Sequence, residues 1–174
     1  MSALLQRLRA LRVMAFDVDG VLTDGSLIYS DTGAEAKAFD VRDGQGMSLL
    51  RDAGIQLALI SARRSAIVER RARELGVQHC FLGVAAKLPA FQGLLAELKL
   101  DAREAGYMGD DLLDLPVLTR AGFAASVPAA PAAVRSRVHY IAARPGGGGA
   151  VREVCELILE SQGRLEELVA GYLK

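Results

Sequence analysis

The chain has 174 residues, and its 21 Lys or Arg balance 21 Asp or Glu to a formal net charge of zero. That length suits a single domain over 1–174, and a hydrophobic content of 51% excludes wholesale disorder. The zero balance argues against nucleic-acid binding by bulk charge. No apolar run approaches the roughly 20 residues that span a bilayer.

In chain order, residues 1–11 are amphipathic, with arginines among the leucines and no small-residue cleavage site, so a signal peptide is not expected. Val13-Met14-Ala15-Phe16 is the first buried-strand candidate. Residues 26–40 read as a hairpin flap: Leu27-Ile28-Tyr29, a turn at Ser30-Asp31-Thr32-Gly33, then Glu35 to Phe39. Beyond it, helical stretches near 44–53, 64–75, 87–98, 112–119, 130–136 and 149–162 alternate with apolar runs at 55–60, 80–82, 105–108, 122–125 and 138–141. The alternation predicts an α/β fold, a doubly wound, Rossmann-like parallel sheet with helices on both faces. A C-terminal helix and tail occupy about 149–174. Cys80 and Cys155 sit in apolar runs and read as buried free thiols with no disulfide framework. The expected location is the cytoplasm.

Asp17-Val18-Asp19-Gly20 follows the first strand directly. In an open α/β sheet, ligands bind beyond the carboxyl ends of the strands, and residues two apart in extended chain point the same way. Gly109-Asp110-Asp111-Leu112-Leu113-Asp114 repeats the arrangement after a later strand. One of these aspartates can cap the helix that follows, but capping does not account for three. If both strand ends face one crevice, five carboxylates converge there and need a cation to neutralise them. Oxygen donors with no His or Cys nearby select a hard ion, Mg²⁺.

Ser61-Ala62-Arg63 follows the second strand and opens a helix, where a hydroxyl and backbone N–H groups make an anion site. Lys87 at the next helix start would, alone, read as a solvated side chain opposing the helix dipole. The order Asp-x-Asp, Ser, Lys, Asp-Asp along four strand ends instead describes phosphoryl transfer. One carboxylate attacks phosphorus, a cation offsets the repulsion, and Ser61 and Lys87 hold the transferring oxygens. Asp19 then protonates the leaving alcohol and deprotonates water.

Asp17-x-Asp19-Gly20-Val21-Leu22-Thr23, Ser61, Lys87 and Gly109-Asp110-Asp111-x-x-Asp114 resemble the four motifs of the haloacid-dehalogenase-like phosphatases. The resemblance implies Asp17 as nucleophile and Asp19 as acid/base. It implies Asp19, Thr23, Ser61 and Lys87 as phosphate or substrate contacts. Asp17, the Asp19 carbonyl and Asp110 become Mg²⁺ ligands, with Asp111 and Asp114 as supporting acids. A finer resemblance rests on Asp24-Gly25, Lys37 to Gly44 and Gly147 to Cys155. These are similar to the phosphatases of 3-deoxy-D-manno-octulosonate 8-phosphate, a family of Mg²⁺-dependent homotetramers without a large cap, acting in lipopolysaccharide biosynthesis. One departure is Ser61-Ala62-Arg63, where that family carries Thr-Gly-Arg.

Between Asp17 and Ser61 a hairpin, a helix and a strand use up the chain, and between Ser61 and Lys87 a helix and a strand do. No cap fits either place. A monomer's site is then open, so either the substrate is large or a neighbouring copy closes the site, and the hairpin's Leu27, Ile28, Tyr29 and Phe39 favour self-association. Arg42, Arg63 and Arg144 are candidates for the substrate's carboxylate or phosphate. The run Gly146 to Gly149 reads as a mobile helix-entry loop. His79 and His139 read as structural. The alternatives are a phosphoacceptor receiver domain, whose motif order differs, a catalytically silent scaffold or regulatory subunit, and a phosphatase of a related nine-carbon sugar acid or of some other phosphate monoester.

Overall fold

Val13–Phe16 forms β1, buried at every position, as a strand covered on both faces must be. The structure is a computed structural model describing residues 2–173. β2 (Ile28–Tyr29) and β3 (Glu35–Ala36) make a short antiparallel ladder of their own. β4 (Gln56–Ser61), β5 (His79–Leu82), β6 (Ala105–Met108), β7 (Phe123–Ser126) and β8 (Tyr140–Ile141) complete the main sheet, in the order β5-β4-β1-β6-β7-β8. Every pairing in it is parallel. The chain fills one side of β1 with β4 and β5, then returns to fill the other from β6 onward. The carboxyl ends of β1 and β6 therefore flank the point where strand order reverses, the place where such sheets bind ligands.

The helices are α1 (Ala3–Ala10), α2 (Val41–Asp52), α3 (Ala66–Leu75), α4 (Lys87–Leu98), α5 (Leu115–Leu118), α6 (Ala132–Arg135), α7 (Ala150–Ser161) and α8 (Leu165–Gly171). α2 starts earlier than the predicted residue 44, because the Asp40 carboxylate caps it by accepting from the Arg42 N–H at 2.7 Å. The predicted helix at 112–119 divides into a 3-10 turn (Leu112–Asp114) and α5, with Pro116 in the first turn of the latter. The predicted helix at 130–136 is one turn. α8 has no counterpart in the sequence reading. Cys155 is buried, but Cys80 is exposed, since β5 is an edge strand.

α7 packs along α2, and the contact has a polar clamp. Gly149, just before α7, has no side chain to cap it. Asp43 of α2, buried, does so instead, accepting from the N–H groups of Arg152 (2.8 Å) and Gly149 (3.3 Å). Among the described residues no helix is long and apolar enough to cross a membrane.

Candidate active site

Asp17 continues β1, its N–H donating to Met108 O at 2.8 Å, so the ends of β1 and β6 are fixed to one another. Its Oδ1 accepts from the Val18 N–H at 2.7 Å and pairs with Lys87 Nζ at 2.8 Å. Asp110 stands just beyond β6. Gly20 lets the two loops meet: its φ is +93°, and a Cβ there would lie 2.0 Å from Asp110 Oδ2. Oxygens of Asp17, Asp110 and Asp114 lie within 4.8 Å of one another.

Asp114 is fully buried and saturated. Oδ1 accepts from Lys87 Nζ and the Tyr107 hydroxyl, both at 2.6 Å, and Oδ2 from the N–H groups of Asp110 (2.9 Å) and Asp111 (3.0 Å). An acceptor with four donors has nothing left to offer a cation. Asp110 is the opposite case, since its Oδ1 is buried without a hydrogen-bond partner. An orphaned buried carboxylate oxygen is costly, and a hard cation held by Asp17 and Asp110 satisfies it. The residues therefore fit a divalent ion.

The electrostatics agree. Burial first, then Asp114, push the Asp17 carboxyl up to about 7 against the pull of Lys87. Burial and Asp114 likewise raise Asp110 to about 6. Burial works to lower Lys87, but Asp17 and Asp114 prevail and its pKa is raised, so it remains an ammonium. Two carboxyls that resist ionisation beside a fixed cation await more positive charge.

Ser61 ends β4, buried, with its Oγ accepting from the Arg63 N–H at 3.2 Å. Beside it Ala62, Val84, Leu112 and Leu113 bound an apolar cavity of about 390 Å³, with Lys87 in its wall. Asp19 stands apart from these three carboxylates. Its Oδ1 meets Lys37 Nζ of the hairpin at 2.5 Å and its Oδ2 meets Arg63 Nε at 3.6 Å.

Several expectations require correction. Three carboxylates converge, not five: Asp111 is exposed and caps the Leu112 N–H at 2.7 Å. Lys87, which alone would read as solvated, is buried against Asp17, as a site residue is expected to be. The Thr23 hydroxyl faces the loop rather than a ligand, accepting from the N–H groups of Gly25 (3.2 Å) and Gly20 (3.4 Å). Arg42 pairs with Asp40 at 2.6 Å, and with Arg144 it lines a cavity of about 360 Å³ that none of the clustered carboxylates reaches. Gly146 and Gly147 are docked, not mobile. The Gly147 N–H donates to Val21 O at 2.9 Å, and a Cβ on Gly146 would stand 1.8 Å from Gly20 O.

Sequence reasoning passed over Tyr107, Glu35 and Lys37. Tyr107 is hidden in an apolar strand and carries no signal. Glu35 and Lys37 do carry one, because residues two apart on a strand share a face.

No protein-family model matches the chain. It is 42% identical over 162 residues to 3-deoxy-D-manno-octulosonate 8-phosphate phosphatase KdsC of Yersinia pestis, covering 93% of this chain and 87% of that protein. With the same enzyme of Escherichia coli K12 it shares 41% over 157 residues, covering 90% and 84%. The fold matches a crystal structure of the Moraxella catarrhalis phosphatase in complex with magnesium, phosphate and KDO. That match has a TM-score of 0.97, 44% identity and 99% of both chains covered. At these identities and coverages, the chain belongs to the 3-deoxy-D-manno-octulosonate 8-phosphate phosphatase family of HAD hydrolases.

Proposed function

We propose that this chain, acting as one catalytic domain, is a Mg²⁺-dependent phosphatase of 3-deoxy-D-manno-octulosonate 8-phosphate. It would release the free sugar acid and phosphate in lipopolysaccharide biosynthesis. The observation that carries the reading is the pair of buried Asp17 and half-buried Asp110 at the reversal point, with Lys87 against it and one buried Asp110 oxygen unsatisfied. The related Moraxella protein is described with magnesium, phosphate and the sugar acid.

The carboxylates of Asp17 and Asp110 and the backbone carbonyl of Asp19 would hold the cation. When bound, Mg²⁺ supplies Lewis-acid stabilisation of charge on the phosphoryl oxygens. An Asp17 carboxylate oxygen attacks phosphorus while Lys87 and Ser61 bind the other phosphoryl oxygens. Asp19 gives its proton to the leaving alkoxide as the P–O bond breaks, leaving an aspartyl phosphate on Asp17. Asp19, now a base, takes a proton from water, whose oxygen attacks phosphorus and frees Asp17. Asp114 and Tyr107 hold Lys87 in place, and Arg63, at the mouth of the site, suits the substrate's carboxylate.

Self-association, as a tetramer, belongs to the same reading. Leu27, Ile28 and Tyr29 are 46%, 52% and 58% exposed on the hairpin, an apolar surface that a second copy would cover. Two free thiols suit the reducing cytoplasm. The test is phosphate release from a panel of eight- and nine-carbon sugar-acid phosphates, with and without Mg²⁺. Preference for the eight-carbon ester in Mg²⁺ supports the proposal. Preference for a nine-carbon ester, or turnover in EDTA equal to that in Mg²⁺, contradicts it.

A further inference from the structure

The hairpin has little to hold it in place. Its ladder has two residue pairs, and a two-stranded ribbon that small is marginal alone. Its apolar side chains mostly face outward. What fastens it is polar. Glu35 Oε2 accepts from the Ser65 hydroxyl at 2.8 Å, and Oε1 faces Arg63 Nη2 at 3.4 Å. Arg63 Nη2 also donates to the Tyr29 hydroxyl at 2.7 Å. Lys37 sits at the centre, its side chain 1% exposed, with Nζ between Asp19 Oδ1 and Glu35 Oε1 (3.4 Å).

A lysine ammonium is not buried without compensation, and here the compensation is Asp19 itself. The Lys37 ammonium bonds one oxygen of the Asp19 carboxyl, while Arg63 Nε stands 3.6 Å from the other, beyond hydrogen-bond distance, so that Oδ2 is left to carry the transferred proton. A short side chain fastened at one oxygen has its torsions restricted with the other oxygen free, which is what a proton donor that must meet one leaving oxygen requires.

We propose that Lys37 is a positioning residue for Asp19, anchored in turn by Glu35, so that docking of the hairpin sets the orientation of the acid/base. The proposal rests on the reading of Asp19 as acid/base. Its consequence depends on the leaving group. A primary alkoxide cannot leave without a proton, whereas p-nitrophenolate can. Removing Lys37 should therefore slow the first turnover of an alkyl phosphate much more than that of p-nitrophenyl phosphate, while any role confined to holding the fold would slow both alike.

The experiment measures first-turnover release of alcohol from the sugar-acid 8-phosphate and from p-nitrophenyl phosphate, for Lys37→Met, Lys37→Arg, Glu35→Gln and Asp19→Asn. General-acid catalysis contributes about 10²–10⁴-fold. Lys37→Met is expected to lose at least ~10-fold more rate on the alkyl ester than on the aryl ester, with Lys37→Arg recovering part of it. Glu35→Gln should show the same selectivity more weakly, and it serves alone if Lys37→Met does not fold. Equal losses on both esters, or no loss, overturn the proposal. Asp19→Asn separates the two failures: if it too shows no leaving-group selectivity, the acid/base reading is what fails.

Discussion

The two raised carboxyls make the stability of the protein depend on pH and on magnesium in a direction opposite to ordinary acid denaturation. Asp17 moves from 3.8 to about 7 and Asp110 from 3.8 to about 6. A group with a raised folded pKa holds its proton in the folded state and releases it on unfolding. Its stabilisation is whole below about pH 4 and is lost as pH rises through 6–7. For Asp17 the shift corresponds to about 4 kcal/mol at 1.36 kcal/mol per unit. The two carboxyls repel one another, so their shifts do not add, and partial solvation of the site brings the pair to about 2 kcal/mol. In a domain of this size that is a Tm lower by about 4–8 °C at pH 8 than at pH 5. Asp43, raised by burial, adds to the trend, while His139, lowered by burial, opposes it. Glu35 and Asp40, both lowered, finish titrating below this window. Calorimetry in EDTA across pH 5–8 reads the effect directly. Mg²⁺ should restore more Tm at pH 8 than at pH 5, and Asp110→Asn should flatten the EDTA profile. A Tm in EDTA that stays level or rises from pH 5 to 8 would refute the electrostatic reasoning.

Two other substitutions probe the scaffold. Asp43→Ala strands two N–H groups at the start of α7, one buried and one half-buried, and should cost about 2–3 kcal/mol. An unchanged urea midpoint would show that Asp43 is not the cap that α7 depends on. Gly146→Ala drives a methyl group against Gly20 O, displacing the loop that carries Asp19. Because displacements of about 1 Å can cost ~10²-fold in rate, kcat should fall at least tenfold with a comparatively small change in Tm. Undiminished kcat would mean that the glycine loop does not position the site.

The sheet was legible because its strands are short apolar runs separated by helical periodicity, and Val13 to Phe16 and 105–108 needed no long-range information. The nucleophile and metal-ligand candidates were legible because Asp17 and Asp110 sit immediately after such runs. What stayed hidden depends on contacts between distant segments. Asp111 and Asp114 are indistinguishable by spacing, yet one meets solvent and the other the Lys87 ammonium, a difference set by the 3-10 turn that follows β6. Burial of Lys87 depends on two carboxylates from other segments, one just after β1 and one in the 3-10 turn beyond β6. The glycine run looked mobile because glycines usually are, but here it packs where no side chain would fit. The pairing of Arg42 with Asp40, two residues away, depends on the turn into α2 that Asp40 caps.

The central claim is that Asp17 attacks phosphorus. Phosphate release from 3-deoxy-D-manno-octulosonate 8-phosphate in saturating Mg²⁺, by the natural chain and by Asp17→Asn at equal folded concentration, tests it most directly. The former is expected to turn over and the latter to lose at least ~10⁴-fold, since an amide is no nucleophile. Turnover by Asp17→Asn within tenfold of the natural chain would contradict it.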